Sequence, residues 1–148
     1  FGRVSGAPSG VEFYENGVSY GVNTKSRTYI SFDEWSENEN NDILLPKTFP
    51  DSLILKRIAV SIVDGHKKTI ISFEDGLSYS VLKNTSIPQG IINTVTPTTI
   101  GNTEIYIEDL SDVNSYQVHF SYNGDYYYIF HSDKQQVLEI IDNLEVYL

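Results

Sequence analysis

The chain has no cysteine and no methionine, a single tryptophan and few cations, with 10 Lys plus Arg against 20 Asp plus Glu in 148 residues. Without cysteine there is no disulfide, no thiolate zinc site and no thiol nucleophile. A formal net charge of −10 makes most of the surface repel phosphate backbones and anionic membranes, so nucleic acid is not an expected partner. No apolar run approaches the ~18 residues a helix needs to cross a bilayer. The most apolar stretch, LILKRIAVSIV at 53–63, is broken by Lys56 and Arg57. The chain opens on Phe1 and lacks methionine throughout, which leads us to expect a piece of a longer protein: residues 1–10 a linker, and any membrane anchor upstream. The length suits one domain, 1–148, around one core.

Aromatic residues are plentiful by contrast, with 11 Tyr and 7 Phe. Many recur in one pattern. FYENGVSYGV (13–22), FEDGLSYSV (73–81) and FSYNGDYYYI (120–129) each place Phe before Asn-Gly or Asp-Gly, then Tyr, then Val or Ile. Asn-Gly and Asp-Gly supply the positive φ angles of a type I′ turn, so each stretch predicts a β-hairpin. With Asn123 and Gly124 at the tip, Phe120 falls opposite Tyr127 and Val118 opposite Ile129. The middle copy is one residue shorter, so Phe73 and Tyr79 are not in direct register unless a bulged three-residue loop such as Glu74-Asp75-Gly76 intervenes. The segments between the copies do not repeat, so this is recurring hairpin grammar rather than a duplication.

Further strands are expected at 27–32, at 53–63 with Ile54, Ile58, Val60 and Ile62 alternating, and around a turn at Gly101-Asn102. The acidic run 33–42 predicts a loop or short helical turn, and Pro88, Gly90 and Pro97 predict an irregular connection over 84–97. One strong helix signal stands at the C-terminus. Ser132 and Gln135 have capping-box spacing, and Val137, Leu138, Ile141, Leu144 and Leu148 share a face. The expected fold is therefore α+β: a largely antiparallel twisted sheet of hairpins with a C-terminal amphipathic helix packed on it.

Period-two alternation divides the last hairpin. One face collects Tyr116, Val118, Phe120, Tyr122, Tyr127, Ile129 and His131, which reads as core. The other carries Gln117, His119, Ser121, Tyr126, Tyr128 and Phe130, where phenol rings can cover apolar ground while their hydroxyls stay wet. Tyr126 and Tyr128 there are either ordinary cross-strand packing or a surface for a glycan, peptide or partner domain. Trp35, alone in a polar run, either anchors its loop to the core or joins a binding surface.

Catalytic and metal signatures are absent from the pattern. His66, His119 and His131 lack metal-ligand spacing; His119 and His131 should point to opposite faces of the hairpin, each a turn or surface histidine. No nucleophile elbow or phosphate-binding glycine loop occurs. Asp33, Glu34, Glu37, Glu39 and Asp42 lack the spacing of a calcium loop and read as a solvated acidic segment. No cofactor or metal is expected. Acids are plentiful enough that a glycoside hydrolase using two carboxylates stays open, though nothing singles out a pair.

Three elements resemble an uncharacterised Gram-positive domain-of-unknown-function family found as the exported C-terminal domain of membrane-anchored, anti-sigma-factor-like proteins. They are Leu45-Pro46 with Phe49 leading into a long strand, Ile100-Gly101-Asn102 before TEIYIED, and the aromatic hairpin YQVHFSYNGDYYYIF closed by SDKQQVLEIIDNL. Lys47 and Thr48 stand where that pattern has glycine. The resemblance spans roughly the last two thirds of the chain and transfers no catalytic residue. It implies an extracytoplasmic, cell-surface location and a sensory or binding role. The function expected is thus a non-enzymatic exported module that meets a protein or envelope ligand through Tyr126, Tyr128, Phe130, His119 and Trp35, touching a membrane only through an upstream anchor. A glycan hydrolase or a structural spacer is the alternative.

Overall fold

The computed structural model describes residues 26–39, 42–113, 115–131, 133–145 and 147–148. The expected linker at 1–10 and first hairpin at 13–22 lie outside them. Eight strands are present among the described residues: β1 (Arg27–Tyr29), β2 (Leu55–Val63), β3 (His66–Phe73), β4 (Ser78–Leu82), β5 (Thr98–Ile100), β6 (Thr103–Leu110), β7 (Ser115–Tyr122) and β8 (Asp125–His131). They form one sheet, ordered β1-β2-β3-β4-β8-β7-β6-β5, with every neighbouring pair antiparallel. Each half is a four-strand meander, and the halves join where the last strand of each, β4 and β8, pair. Helices α1 (Phe32–Asn38), α2 (Gln89–Thr94) and α3 (Lys134–Leu144) complete the α+β fold, with α3 against β7 and β8.

Turn chemistry sets the registers. Asn123 and Gly124 take φ of 51° and 80°, and Phe120 faces Tyr127 while Val118 faces Ile129, as the tip residues demand. In the shorter hairpin Gly76 (φ 99°) closes a three-residue loop: Gly76 N–H donates to Phe73 O and Phe73 N–H to Leu77 O, both at 3.0 Å. Tyr79 then pairs with Ile71 rather than Phe73. A further type I′ turn joins β2 to β3 at Asp64-Gly65, φ 51° and 80°.

One sheet face carries the core. Ile58, Val60, Ile71, Tyr79, Val81, Ile105, Val118, Phe120, Tyr127 and Ile129 are at most 1% exposed and form one cluster with Val137, Ile140, Ile141 and Leu144 of α3 and Trp35 of α1. At about 25 cal/mol per Å2, each such aliphatic side chain contributes roughly 1.5–3 kcal/mol against the entropy of ordering the chain. The apolar alternation expected over 53–63 buries Ile58 and Val60 but leaves Ile62 37% exposed near the end of β2, and it fails at Ile54, which precedes the strand and is 66% exposed. A bulge between Leu55 and Arg57 inserts one residue against β3 and reverses the phase, so Leu55, opposite Phe73, turns to the core instead.

Three other expectations are corrected. The connection 84–97 is not wholly irregular, since Pro88 precedes the short helix α2; proline is well tolerated where a helix begins. The N-cap of α3 is Asp133, whose side chain accepts from Gln135 N–H, rather than Ser132, which lies outside the described residues. Its buried stripe includes Ile140 as well as Val137, Ile141 and Leu144, while Leu138 and Leu148 are only partly covered.

Several contacts fasten the segment before β2. Ser31 caps α1 by accepting from Glu34 N–H at 3.0 Å, while the Glu34 carboxylate accepts from Ile30 N–H; Trp35, 3% exposed, anchors the helix in the core. At the other end of α1, Glu39 accepts the Arg27 guanidinium fork at 2.6 and 3.0 Å and the Tyr29 hydroxyl, with Lys67 Nζ 3.4 Å away. Further on, the backbone of Leu44 is clasped on both sides by two buried phenols: Tyr79 O–H donates to Leu44 O at 2.5 Å, and Leu44 N–H donates to Tyr127 Oη at 2.7 Å. Phe49 then stacks among Phe32, Phe73 and Tyr79.

Candidate functional site

The second sheet face is built differently. Among the described residues, none of the hydrophobic core cluster lies on it, and the two buried aromatics outside that cluster, Tyr106 and Tyr126, are both there. Strand register assembles the group: His119 of β7 stands between Tyr106 of β6 and Tyr128 of β8, and Tyr126 is Ser121's partner one step along. The His119 and Tyr128 rings stack at 4.8 Å between centroids with 19° between planes. Tyr126 lies nearly parallel to both, 6.0 Å from His119 and 6.3 Å from Tyr128.

Hydrogen bonds fix the imidazole. His119 Nε2 lies 2.8 Å from Glu108 Oε1 and Nδ1 lies 2.7 Å from the Tyr126 hydroxyl. A carboxylate only accepts, so Nε2 carries the proton and Nδ1 accepts from Tyr126 O–H. Burial, opposed by the Glu108 hydrogen bond, holds the His119 pKa below its usual value, so near neutral pH the link is a neutral N–H donating to a carboxylate rather than an ion pair. Burial also raises Tyr126 and Tyr128 above the ordinary phenol range. All three groups therefore sit in their uncharged forms, pre-oriented by Glu108.

The structure sorts the residues singled out from sequence. His119, Tyr126 and Tyr128 come together, and Phe130, half-buried opposite Gln117 and Ser78, continues the same face. Trp35 does not join them, because it is in the core on the other side. Neither His119 nor His131 is a surface histidine: they are 3% and 4% exposed. His131, on the core face, accepts Asp133 N–H on Nδ1 at 2.7 Å and so helps start α3, with Asp75 3.2 Å from its Nε2. Tyr126 is also less wet than expected, its hydroxyl being spent on His119.

Glu108 and Tyr106 were not singled out from sequence. The signal available was positional, since Gly101-Asn102 fixes β6 and its alternation puts Glu104, Tyr106 and Glu108 on one face. Beside Tyr106 a groove of about 790 Å3 opens between the 85–92 segment and the β5–β6 hairpin, reaching Ser121 and Gly124. Among the described residues no three His, Asp or Glu side chains gather as a metal site. Several carboxylates are engaged elsewhere: Glu39 with Arg27 and Lys67, and Asp125 with Lys83 at 2.7 Å and with Asn84 N–H at 2.8 Å. No family model matches the chain, and neither curated proteins nor solved structures give a match to it.

Proposed function

We propose that this domain is a non-enzymatic recognition module of an exported, membrane-attached or surface protein, and that it captures its partner on the tyrosine-bearing sheet face. The single observation carrying this reading is the Tyr128–His119–Tyr126 array, ordered by Glu108 on the face that bears none of the hydrophobic core cluster. A ring stack with its rotamers already fixed offers contact area at little further entropic cost, which is what a binding surface needs. Tyr128 and Phe130, both half-buried, are the contact residues in this scheme; Tyr126 and His119 hold Tyr128 in place. The resemblance of residues 45–49, 100–109 and 116–144 to the exported domains of anti-sigma-factor-like proteins supports the same role and an extracytoplasmic location.

Photo-crosslinking tests it. A benzoylphenylalanine replacing Ser78, beside Phe130 on this face, is expected to trap a discrete product in cells, whereas one replacing the exposed Glu139 on α3 traps none. Tyr128→Ser should abolish the product while the domain stays folded. A product that persists in Tyr128→Ser, or that forms only from position 139, contradicts the reading.

A further inference from the structure

The groove beside Tyr106 has a lining of one chemical kind. Five of its walls are hydroxyl side chains, Thr85, Ser86, Thr99, Thr103 and Ser121, and Asn102 adds an amide. Hydroxyls both donate and accept, so they suit a ligand whose own groups do both. Apolar ground is limited to Ile87, Ile92 and the ring of Tyr106, enough to meet the C–H face of a ring but not to drive binding of a greasy ligand. No Lys, Arg or His lines the groove, and its one carboxylate, Glu104, accepts the Tyr106 hydroxyl at 3.3 Å. An anionic ligand would face that carboxylate and a chain of net charge −10 with no counter-charge in the walls. A volume of about 790 Å3 lies within the roughly 300–1,000 Å3 of small-molecule sites.

From these observations we infer that the groove between residues 85–92 and the β5–β6 hairpin is a binding site for a neutral oligosaccharide. The sugar ring lies against Ile87 and the exposed Ile92, with only the edge of the buried Tyr106 at the groove floor; its hydroxyls exchange hydrogen bonds with the Ser and Thr walls, and Asn102 and Glu104 orient it. A single carboxylate in the lining supports binding without hydrolysis, since glycoside cleavage ordinarily uses two. The inference does not depend on the tyrosine face capturing a partner, because none of Tyr126, Tyr128 and Phe130 lines the groove.

The test is an amide NMR titration of the 148-residue chain with four neutral tetrasaccharides, namely cellotetraose, chitotetraose, maltotetraose and mannotetraose, with spermidine and inorganic phosphate as charged probes. At least one sugar should give saturable shifts at Ser86, Asn102, Thr103 and Ser121. Asn102→Ala and Ser86→Ala should each weaken it about three- to tenfold, the effect of one lost hydrogen bond, with the remaining spectrum unchanged. Tyr128→Ser should leave sugar binding intact, which separates this site from the tyrosine face. The inference is overturned if none of the four gives a saturable shift at about 10 mM, a concentration that would reveal even millimolar affinity. It is also overturned if the shifts map elsewhere, or if spermidine or phosphate occupies the groove and the sugars do not.

Discussion

Removing the Tyr127 hydroxyl is the sharpest perturbation the core offers. Tyr127 is 1% exposed, and its phenol, pushed up to about 12 mainly by burial, stays protonated through the physiological range. In Tyr127→Phe the ring keeps its stacking on Phe120, 4.9 Å away, but Leu44 N–H loses its acceptor. A donor left unpaired in a covered site costs about 1–3 kcal/mol. Tyr79→Phe takes the donor from the carbonyl of the same residue; a carbonyl tolerates this better, so about 0.5–1.5 kcal/mol is expected. Both bonds hold the same residue through the two peptide groups that flank it, so breaking either frees the segment to turn towards water. The double variant should therefore cost less than the sum, with a coupling of at least about 0.5 kcal/mol. Urea unfolding followed by circular dichroism measures all three, with m unchanged, and hydrogen exchange at the Leu44 amide should accelerate in both single variants. Losses below about 0.5 kcal/mol, the ordinary range for surface substitutions, or strict additivity would refute the clasp.

Three further outcomes are expected. Gly101 has φ 61°, and a Cβ there would run into the backbone of Leu148, whose carbonyl accepts Asn102 N–H at 3.0 Å; Gly101→Ala should cost about 1–2 kcal/mol, while an unchanged urea midpoint would show the approach to be unimportant. His119 has a folded pKa below its unfolded 6.5, so the unfolded state binds more protons and stability present above about pH 6.5 is lost as pH falls. Imidazole NMR should accordingly show His119 titrating below 6.5, and a value above it would contradict the neutral link to Glu108. Glu39, held at about 2 chiefly by the Arg27 guanidinium, contributes stability above about pH 4.5 that disappears towards pH 2. Because Arg27 is about half exposed, Glu39→Gln should cost only about 1 kcal/mol at pH 7 in urea unfolding and much less at pH 2; equal losses at both pH values would argue against an electrostatic origin.

Local chemistry made much of this fold legible. Asn123-Gly124 determined a register to the residue, and the spacing of Val137, Ile141 and Leu144 placed the terminal helix on the sheet; the three-residue loop at Gly76 does form, but it pairs Tyr79 with Ile71 and does not bring it opposite Phe73. Other features were written just as locally. Asp64-Gly65 is the same turn signal, and Ser31 with Glu34 has capping-box spacing that favours the helical alternative over the loop for the acidic run. What no local pattern contains is the pairing of β4 with β8, which joins segments 48 residues apart at Ser80 and Tyr128. Burial follows from that pairing. It explains why Tyr79 and Tyr127 became interior hydrogen-bonding groups.

For the site, alternation alone put His119, Tyr126, Tyr128 and Phe130 on one surface, and it did so correctly. The identity of the residue orienting them was not available in the same way. Glu108 is 11 positions from His119 and meets it only because β6 pairs with β7 in the register Tyr106 to His119. One acid among 20 has no mark of its own until that neighbour is known.

The sheet's two faces are unequal: one closes over the core, and the other is the one we propose for recognition. The most direct measurement is ring-proton relaxation with a soluble gadolinium chelate in the domain without ligand. Strong broadening of Tyr128 and Phe130, with Tyr79, Phe120 and Tyr127 protected, is the result predicted. Tyr128 and Phe130 as protected as Tyr127, or all five rings broadened alike, would contradict the account.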